Sequence, residues 1–175
     1  LKNPTVGLAA HQGIVDILIT ATAINESGAN QLIARVEKDI RDRLGKAIFG
    51  ADQDSLAGIV LDHLSVSGLT VSSIESGTRG QLAEKFALTG DVRGVFHAGM
   101  IYPKYALTND LELGLKAMTA YCMESYHTDL SVACLVMKTG NTIDIGVAVS
   151  NSRNKPTQTK LQGYGGHADY SGEWG

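Results

Sequence analysis

The chain has 175 residues, of which 43% are hydrophobic and 19% charged, and its formal net charge is -3. This length and composition predict one compact domain with a small additional segment. Acidic and basic residues are interspersed, which argues against nucleic-acid binding, and the apolar runs are too short to span a membrane.

Cysteine and histidine usage indicates neither a metal site nor a cofactor. Cys122 and Cys134 lie in apolar stretches without metal-binding spacing, and the five histidines are scattered. We therefore predict that both cysteines are buried core residues and that the protein resides in the reducing cytoplasm.

The first 50 residues predict a small β-β-α unit. Residues 6–11 and 15–22 have the alternation and β-branched content of a hairpin around a turn at residues 12–13. A helix is predicted to open at residues 26–28 and to end at Gly45. Its apolar stripe recurs every three or four residues and comprises Leu32, Ile33, Val36, Ile40 and Leu44.

Residues 51–175 alternate between strand-like and helix-like segments, which predicts an α/β layered domain with a mixed sheet. Helices are expected after a cap at Asp54, over residues 78–88, and from Asn109 or Asp110 to Tyr126. Their expected core includes Leu82, Phe86, Leu113, Leu115, Met118 and Met123. Strands are expected at residues 69–74, 95–102, 130–137, 142–149 and 157–161.

The stretch Glu75-Ser76-Gly77-Thr78-Arg79-Gly80 joins a predicted strand to a predicted helix. Such a turn lies at the carboxyl end of the sheet, where α/β proteins place ligands. Free N–H groups at the helix start can hold a phosphate or an oxyanion, and a serine there is placed for nucleophilic attack. Serine, threonine and glycine are also ordinary capping and turn residues, so a purely structural role is the alternative.

Residues from about 50 onward resemble the C-terminal domain of the CinA (competence/damage-inducible) proteins, and residues 1–50 resemble the segment that precedes it. The matching stretches in residues 1–50 follow the family order with little gap. They are Asn3-Pro4-Thr5-Val6, Ile19-Thr20-Ala21, residues 37–45 and Ile48-Phe49-Gly50.

The resemblance implies a three-layer α/β/α fold without a metal, similar to amidohydrolases that release ammonia from nicotinamide mononucleotide. It also implies a serine nucleophile within a Glu-Ser-Cys-Thr-Gly-Gly signature. Gly77 here replaces the cysteine and Arg79 the first glycine. The matching positions are Glu75, Ser76, Thr78 and Gly80.

This chain departs from the family pattern in three other parts of the site. Tyr102 matches the family tyrosine with one gap, but no lysine stands at the family offset, and Lys104 is the nearest candidate. The glycine loop after the next strand is replaced by a tight turn at residues 138–141, and His167 stands where the family has arginine. We expect catalytic roles for Ser76, Tyr102 and Lys104, and ligand binding by Glu75, Thr78, Arg79, Gly80 and His167.

Three functions remain open on these grounds. The first is a working amidohydrolase whose oxyanion hole is formed by N–H groups near Thr78 and Gly80. The second is a non-catalytic domain that binds a nicotinamide nucleotide or a similar small anion. The third is an assembly domain of a larger CinA-like protein, and a homodimer is expected. Overall we expect a degenerate site with weak or no catalysis, in a domain of residues 51–175 that lacks the last family helix.

Overall fold

The first unit, Leu1–Gly50, is a hairpin followed by one helix. The computed structural model describes residues 3–11, 13–91, 93–102, 110–139, 142–152 and 158–164. Strand β1 (Thr5–His11) pairs antiparallel with β2 (Ile14–Thr20), and α1 (Glu26–Leu44) follows. The Asn25 side chain caps α1 by accepting the Gly28 N–H at 2.8 Å, and Gly45 ends the helix at a φ of 52°. The predicted β-β-α order is confirmed.

The second unit, Ala51–Gly175, is built on a mixed sheet. Within the described residues the sheet has five strands in the order β4-β3-β5-β6-β7. The first three are parallel to one another, and the two later pairings are antiparallel. The elements are α2 (Leu56–Val66), β3 (Val71–Ser76), α3 (Gln81–Ala87), β4 (Phe96–Tyr102), α4 (Leu111–Tyr126), β5 (Leu130–Thr139), β6 (Thr142–Asn151) and β7 (Gln158–Tyr164).

Helices cover both faces of this sheet, so the unit has three layers. On one face α4 buries Leu115 and Met118 against Ile74 of β3. On the other face α2 and α3 bury Leu61 and Phe86 beside Val71 and Val95. Because successive residues of a strand point to opposite faces, the buried strand β3 contributes to both cores. The predicted α/β/α fold is confirmed.

Several predicted boundaries were wrong by one to three residues. Ser55, rather than Asp54, caps α2, and its hydroxyl accepts the Gly58 N–H at 3.0 Å. Strand β3 ends at Ser76, two residues later than predicted, and α3 begins at Gln81. Leu113, predicted to be core, is 58% exposed because the buried face of α4 runs through Leu115 and Met118.

Candidate functional site

Ser76 and Tyr102 end two neighbouring parallel strands, β3 and β4, and are register partners. Partners in adjacent strands lie about 5 Å apart and place their side chains on the same face. That face is covered by α4, since Ile74 lies in the core beneath α4 and Tyr102 packs on the same core. Ser76 is 3% exposed. The fold therefore brings together the serine and the tyrosine that the sequence predicted as partners.

Glu75 points to the opposite face, toward α3, and its carboxylate is fully buried. Oε2 accepts a hydrogen bond from the Thr78 hydroxyl at 2.5 Å and one from the Leu82 N–H at 3.0 Å. Oε1 accepts one from the Ala83 N–H at 2.8 Å. The ligand contact expected of Glu75 stays a prediction, and the role that the geometry does show is internal, tying β3 to the first turn of α3.

The N–H groups of the first turn of α3 are all engaged within the fold. Leu82 and Ala83 donate to Glu75, Gln81 donates to the Thr78 carbonyl at 3.3 Å, and Glu84 donates to the Gly80 carbonyl at 2.9 Å. These four N–H groups are not free, because a buried carboxylate already occupies the positive end of the helix. The oxyanion hole expected near Thr78 and Gly80 would use other N–H groups and stays a prediction. An oxyanion hole would have to use N–H groups of residues 77–80.

The loop of residues 77–80 combines three left-handed backbone conformations. The φ angles are 90° at Gly77, 59° at Arg79 and 89° at Gly80. A left-handed residue cannot begin an α-helix, which explains why α3 starts at Gln81 instead of Thr78. Glycine adopts these angles freely, whereas a residue with a Cβ is destabilised by about 1–2 kcal/mol. Arg79 therefore holds a strained position, at the place where the signature has glycine.

Both loop glycines also lie against neighbouring side chains. A Cβ added to Gly77 would stand 2.6 Å from the Val136 Cβ on strand β5. A Cβ added to Gly80 would stand 2.4 Å from the Cδ1 of Ile101 on β4. The loop is thus packed between strands β4 and β5. Space excludes a side chain at Gly77, where the opposing atom is a Cβ, whereas at Gly80 the flexible end of Ile101 can move and the positive φ is the stronger constraint.

Arg79 is an exposed cation on this loop. Among the residues that the structure describes, no carboxylate forms an ion pair with it. An unpaired guanidinium is well suited to bind phosphate or carboxylate groups of a ligand through paired N–H donors. Its position beside Ser76 in sequence makes it the candidate anion-binding group of the site.

Replacing Arg79 by glycine is expected to stabilise the protein. The substitution removes strain of about 1–2 kcal/mol, while the greater conformational entropy of glycine in the unfolded chain costs about 0.5–1 kcal/mol. The net gain is therefore about 0–1.5 kcal/mol. Urea unfolding measures it. Arg79→Ala is the matched control, because it removes the charge and keeps the strain. Equal gains in both variants would mean that the charge, and not the backbone, causes the effect.

Cys134 is the register partner of Glu75 on strand β5. Burial, together with the nearby negative charge of Glu75, raises the pKa of the Cys134 thiol to about 11. The thiol is therefore protonated at neutral pH and does not compete with Ser76 as a nucleophile. Cys122 is buried, as predicted, whereas Cys134 is only partly buried.

Two predicted site residues, Lys104 and His167, lie outside the described residues. Thr78 is buried with its hydroxyl donated to Glu75, and Gly80 forms the left-handed N-cap of α3.

No group of three or more His, Cys, Asp or Glu side chains within the described ranges is arranged to hold a metal ion. In the same ranges no helix combines the length and apolarity that crossing a membrane requires.

A cleft of about 310 Å³ lies elsewhere in the second unit, beside the start of α2. Its charged groups are engaged within the fold: Arg93 pairs with Asp62, and Asp91 accepts hydrogen bonds from the N–H groups of Arg93 and Phe96. Burial acts to raise the pKa of Asp91, but these backbone hydrogen bonds outweigh it and hold the pKa below its ordinary value. Arg93, Asp62 and Asp91 of this cleft are therefore already paired within the fold.

Sequence reasoning missed the internal role of Glu75 and the contact between Gly77 and Val136. The first had a usable signal, since a carboxylate shortly before a helix complements its N-terminal N–H groups. The second had none, because Val136 is 59 positions away and meets Gly77 only through the pairing of β3 with β5.

Comparisons with known proteins find similarity to CinA proteins in both units. A family model described as the damage-inducible protein CinA KH domain matches residues 1–50. A CinA-like protein from Kosmotoga olearia is 36% identical over 149 residues, which is 85% of this chain and 36% of the relative. A putative competence-damage inducible protein from Clostridium botulinum strain Loch Maree is 34% identical over 149 residues, again 85% of this chain and 36% of the relative. The chain spans about a third of the length of these relatives.

Solved structures agree on the fold. A competence-damaged protein (CinA) superfamily protein from Enterobacter cloacae superposes with a TM-score of 0.52. The match covers 70% of this chain and 86% of that one, at 15% sequence identity. At this identity the similarity concerns the α/β architecture alone.

Proposed function

Since this chain belongs to the CinA-like protein family, we propose that its second unit binds a nicotinamide nucleotide or a similar small anion at the Ser76 loop, with amide hydrolysis weak or absent. The observation that carries this proposal is the pairing of Ser76 with Tyr102 at the carboxyl ends of adjacent parallel strands. Ligands of open α/β sheets bind at such strand ends.

The charge and packing of the loop support anion binding. Arg79 is exposed and forms no ion pair among the described residues. Its left-handed backbone is a strain of the kind that proteins retain at binding and catalytic sites. A guanidinium here would bind the phosphate of a nucleotide while Ser76 and Tyr102 lie at the same sheet edge.

Two features support weak or absent hydrolysis. The first-turn N–H groups of α3 are occupied by Glu75 and by loop carbonyls, so only the N–H groups of residues 77–80 are left for a developing oxyanion. The sequence also lacks a lysine at the family offset, and a missing general base typically lowers the rate by roughly 10²–10⁴-fold. Lys104 as a substitute base, the homodimer and the cytoplasmic location stay predictions.

Ammonia release from nicotinamide mononucleotide tests this proposal. We expect the wild-type chain to release ammonia at most about tenfold faster than Ser76→Ala, because the positioned base that supplies roughly 10²–10⁴-fold is absent. Tyr102→Phe, which keeps the ring and removes the hydroxyl, should match the wild type within the same range. A wild-type rate several hundredfold above that of Ser76→Ala would identify a working amidohydrolase and contradict the proposal.

A further inference from the structure

The Glu75 carboxylate connects three parts of the candidate site. It stands on strand β3 directly before Ser76, it accepts the hydroxyl of Thr78 within the loop, and it accepts two N–H groups of α3. Because Glu75 is fully buried, all three bonds lie in a medium where an unmade bond is costly. The carboxylate therefore fixes both ends of the loop of residues 77–80 relative to the sheet.

This arrangement explains which signature residues the chain shares with the family. Glu75 and Thr78 bond to each other, and Gly80 takes a left-handed φ of 89° against Ile101. These three matches are accounted for by the geometry of the loop itself. The fourth match, Ser76, points to the other face of the sheet, beside Tyr102.

We propose that Glu75 is a positioning residue, which holds residues 77–80 in the ligand-binding conformation through Thr78 and the first turn of α3 without touching the ligand. This inference rests on the proposed function, because it assigns the role of Glu75 in that same site. Without the carboxylate, Thr78, Leu82 and Ala83 lose a shared acceptor, and the loop samples other conformations. Apparent affinity then falls in proportion to the fraction of molecules whose loop remains competent to bind.

Two substitutions test the positioning role, and two more serve as comparisons. Glu75→Gln keeps the shape but offers an NH₂ group that cannot accept a backbone N–H. Thr78→Val keeps the shape of Thr78 and removes its hydroxyl, whereas Thr78→Ser retains the hydroxyl. Leu61→Ala removes a buried side chain of α2 that takes no part in the hydrogen bonds of Glu75, and it serves as a control for lost stability.

The readout is the affinity for nicotinamide mononucleotide, measured by calorimetry at a temperature where every variant is folded. We expect Glu75→Gln to bind about tenfold or more weakly, as when the competent loop population falls to a tenth. Thr78→Val should weaken binding in the same direction and by more than Thr78→Ser does, while Leu61→Ala binds as the wild type does. Unchanged affinity in Glu75→Gln, or an equal loss in Leu61→Ala, would overturn the positioning role.

Hydrogen exchange separates this inference from the proposed function. If the wild-type chain does not bind the nucleotide, the proposed function fails, and exchange at the amides of residues 77–83 then decides the role of Glu75. Faster exchange there in Glu75→Gln and Thr78→Val than in Thr78→Ser and Leu61→Ala would support the positioning role. Equal exchange in all four variants would refute it.

Discussion

Restoring the signature cysteine by Gly77→Cys is expected to destabilise the second unit by about 2–5 kcal/mol. About 1–2 kcal/mol of this comes from the φ of 90°, which disfavours any residue with a Cβ. The rest arises because the new Cβ would stand 2.6 Å from the Val136 Cβ, which is fixed to the backbone of β5 and cannot move alone. Urea unfolding of the variant and the wild type measures the difference.

Two further variants identify the cause of this loss. Gly77→Ala introduces the same Cβ without a thiol and should lose nearly as much stability. Combining Gly77→Cys with Val136→Gly, which removes the opposing Cβ, should cost less than the sum of the two single changes, with a coupling energy of about 1 kcal/mol or more for residues in contact. A Gly77→Cys chain as stable as the wild type would show that the loop accepts the cysteine and that the contact with Val136 does not constrain it.

Gly99→Ala in strand β4 is expected to cost about 1–3 kcal/mol through overpacking. The added Cβ would stand 2.3 Å from the Cβ of Ala83, which is attached directly to the backbone of α3. Relief of this contact requires α3 to move away from the sheet. Because the N–H of Ala83 is bonded to Glu75, the same movement would disturb the loop beside Ser76. Thermal and urea unfolding measure the loss of stability.

The Ala83→Gly/Gly99→Ala double variant is the matched test of this contact. It exchanges which side of the contact carries the methyl group, so it should be more stable than the sum of the two single changes predicts. Ala83→Gly alone is expected to cost about 0.5–1 kcal/mol as a glycine within a helix. Strict additivity of the two substitutions would contradict the close approach of α3 to β4.

The parts of the fold that depend on local pattern were predictable from sequence. Alternation and periodicity reflect burial of one face of an element. These patterns predicted the hairpin of residues 1–50, the strands of the sheet and the long helix α4 capped by Asp110. The antiparallel pair of β5 and β6 runs to Thr139 and from Thr142, while residues 140–141 of the predicted turn lie outside the described residues. Errors fell at element ends, where a single residue outside the pattern decides the boundary.

The sequence predicted which residues form the candidate site better than it predicted how the backbone places them. Ser76 and Tyr102 were assigned as partners from the resemblance, and the parallel register places them side by side. The left-handed conformation of Arg79 could not be foreseen, because arginine has no local preference for it and the loop is held by Glu75 from one side and Val136 from the other. The start of α3 was predicted three residues early for the same reason.

A thermal unfolding titration with nicotinamide mononucleotide tests whether the Ser76 loop binds a nicotinamide nucleotide. A ligand that binds only the folded chain raises the unfolding midpoint by mass action. We expect a saturable rise in the wild type and a smaller rise in Arg79→Ala, which loses the loop cation. A midpoint unchanged up to millimolar nucleotide, or identical titrations of the two chains, would contradict the account.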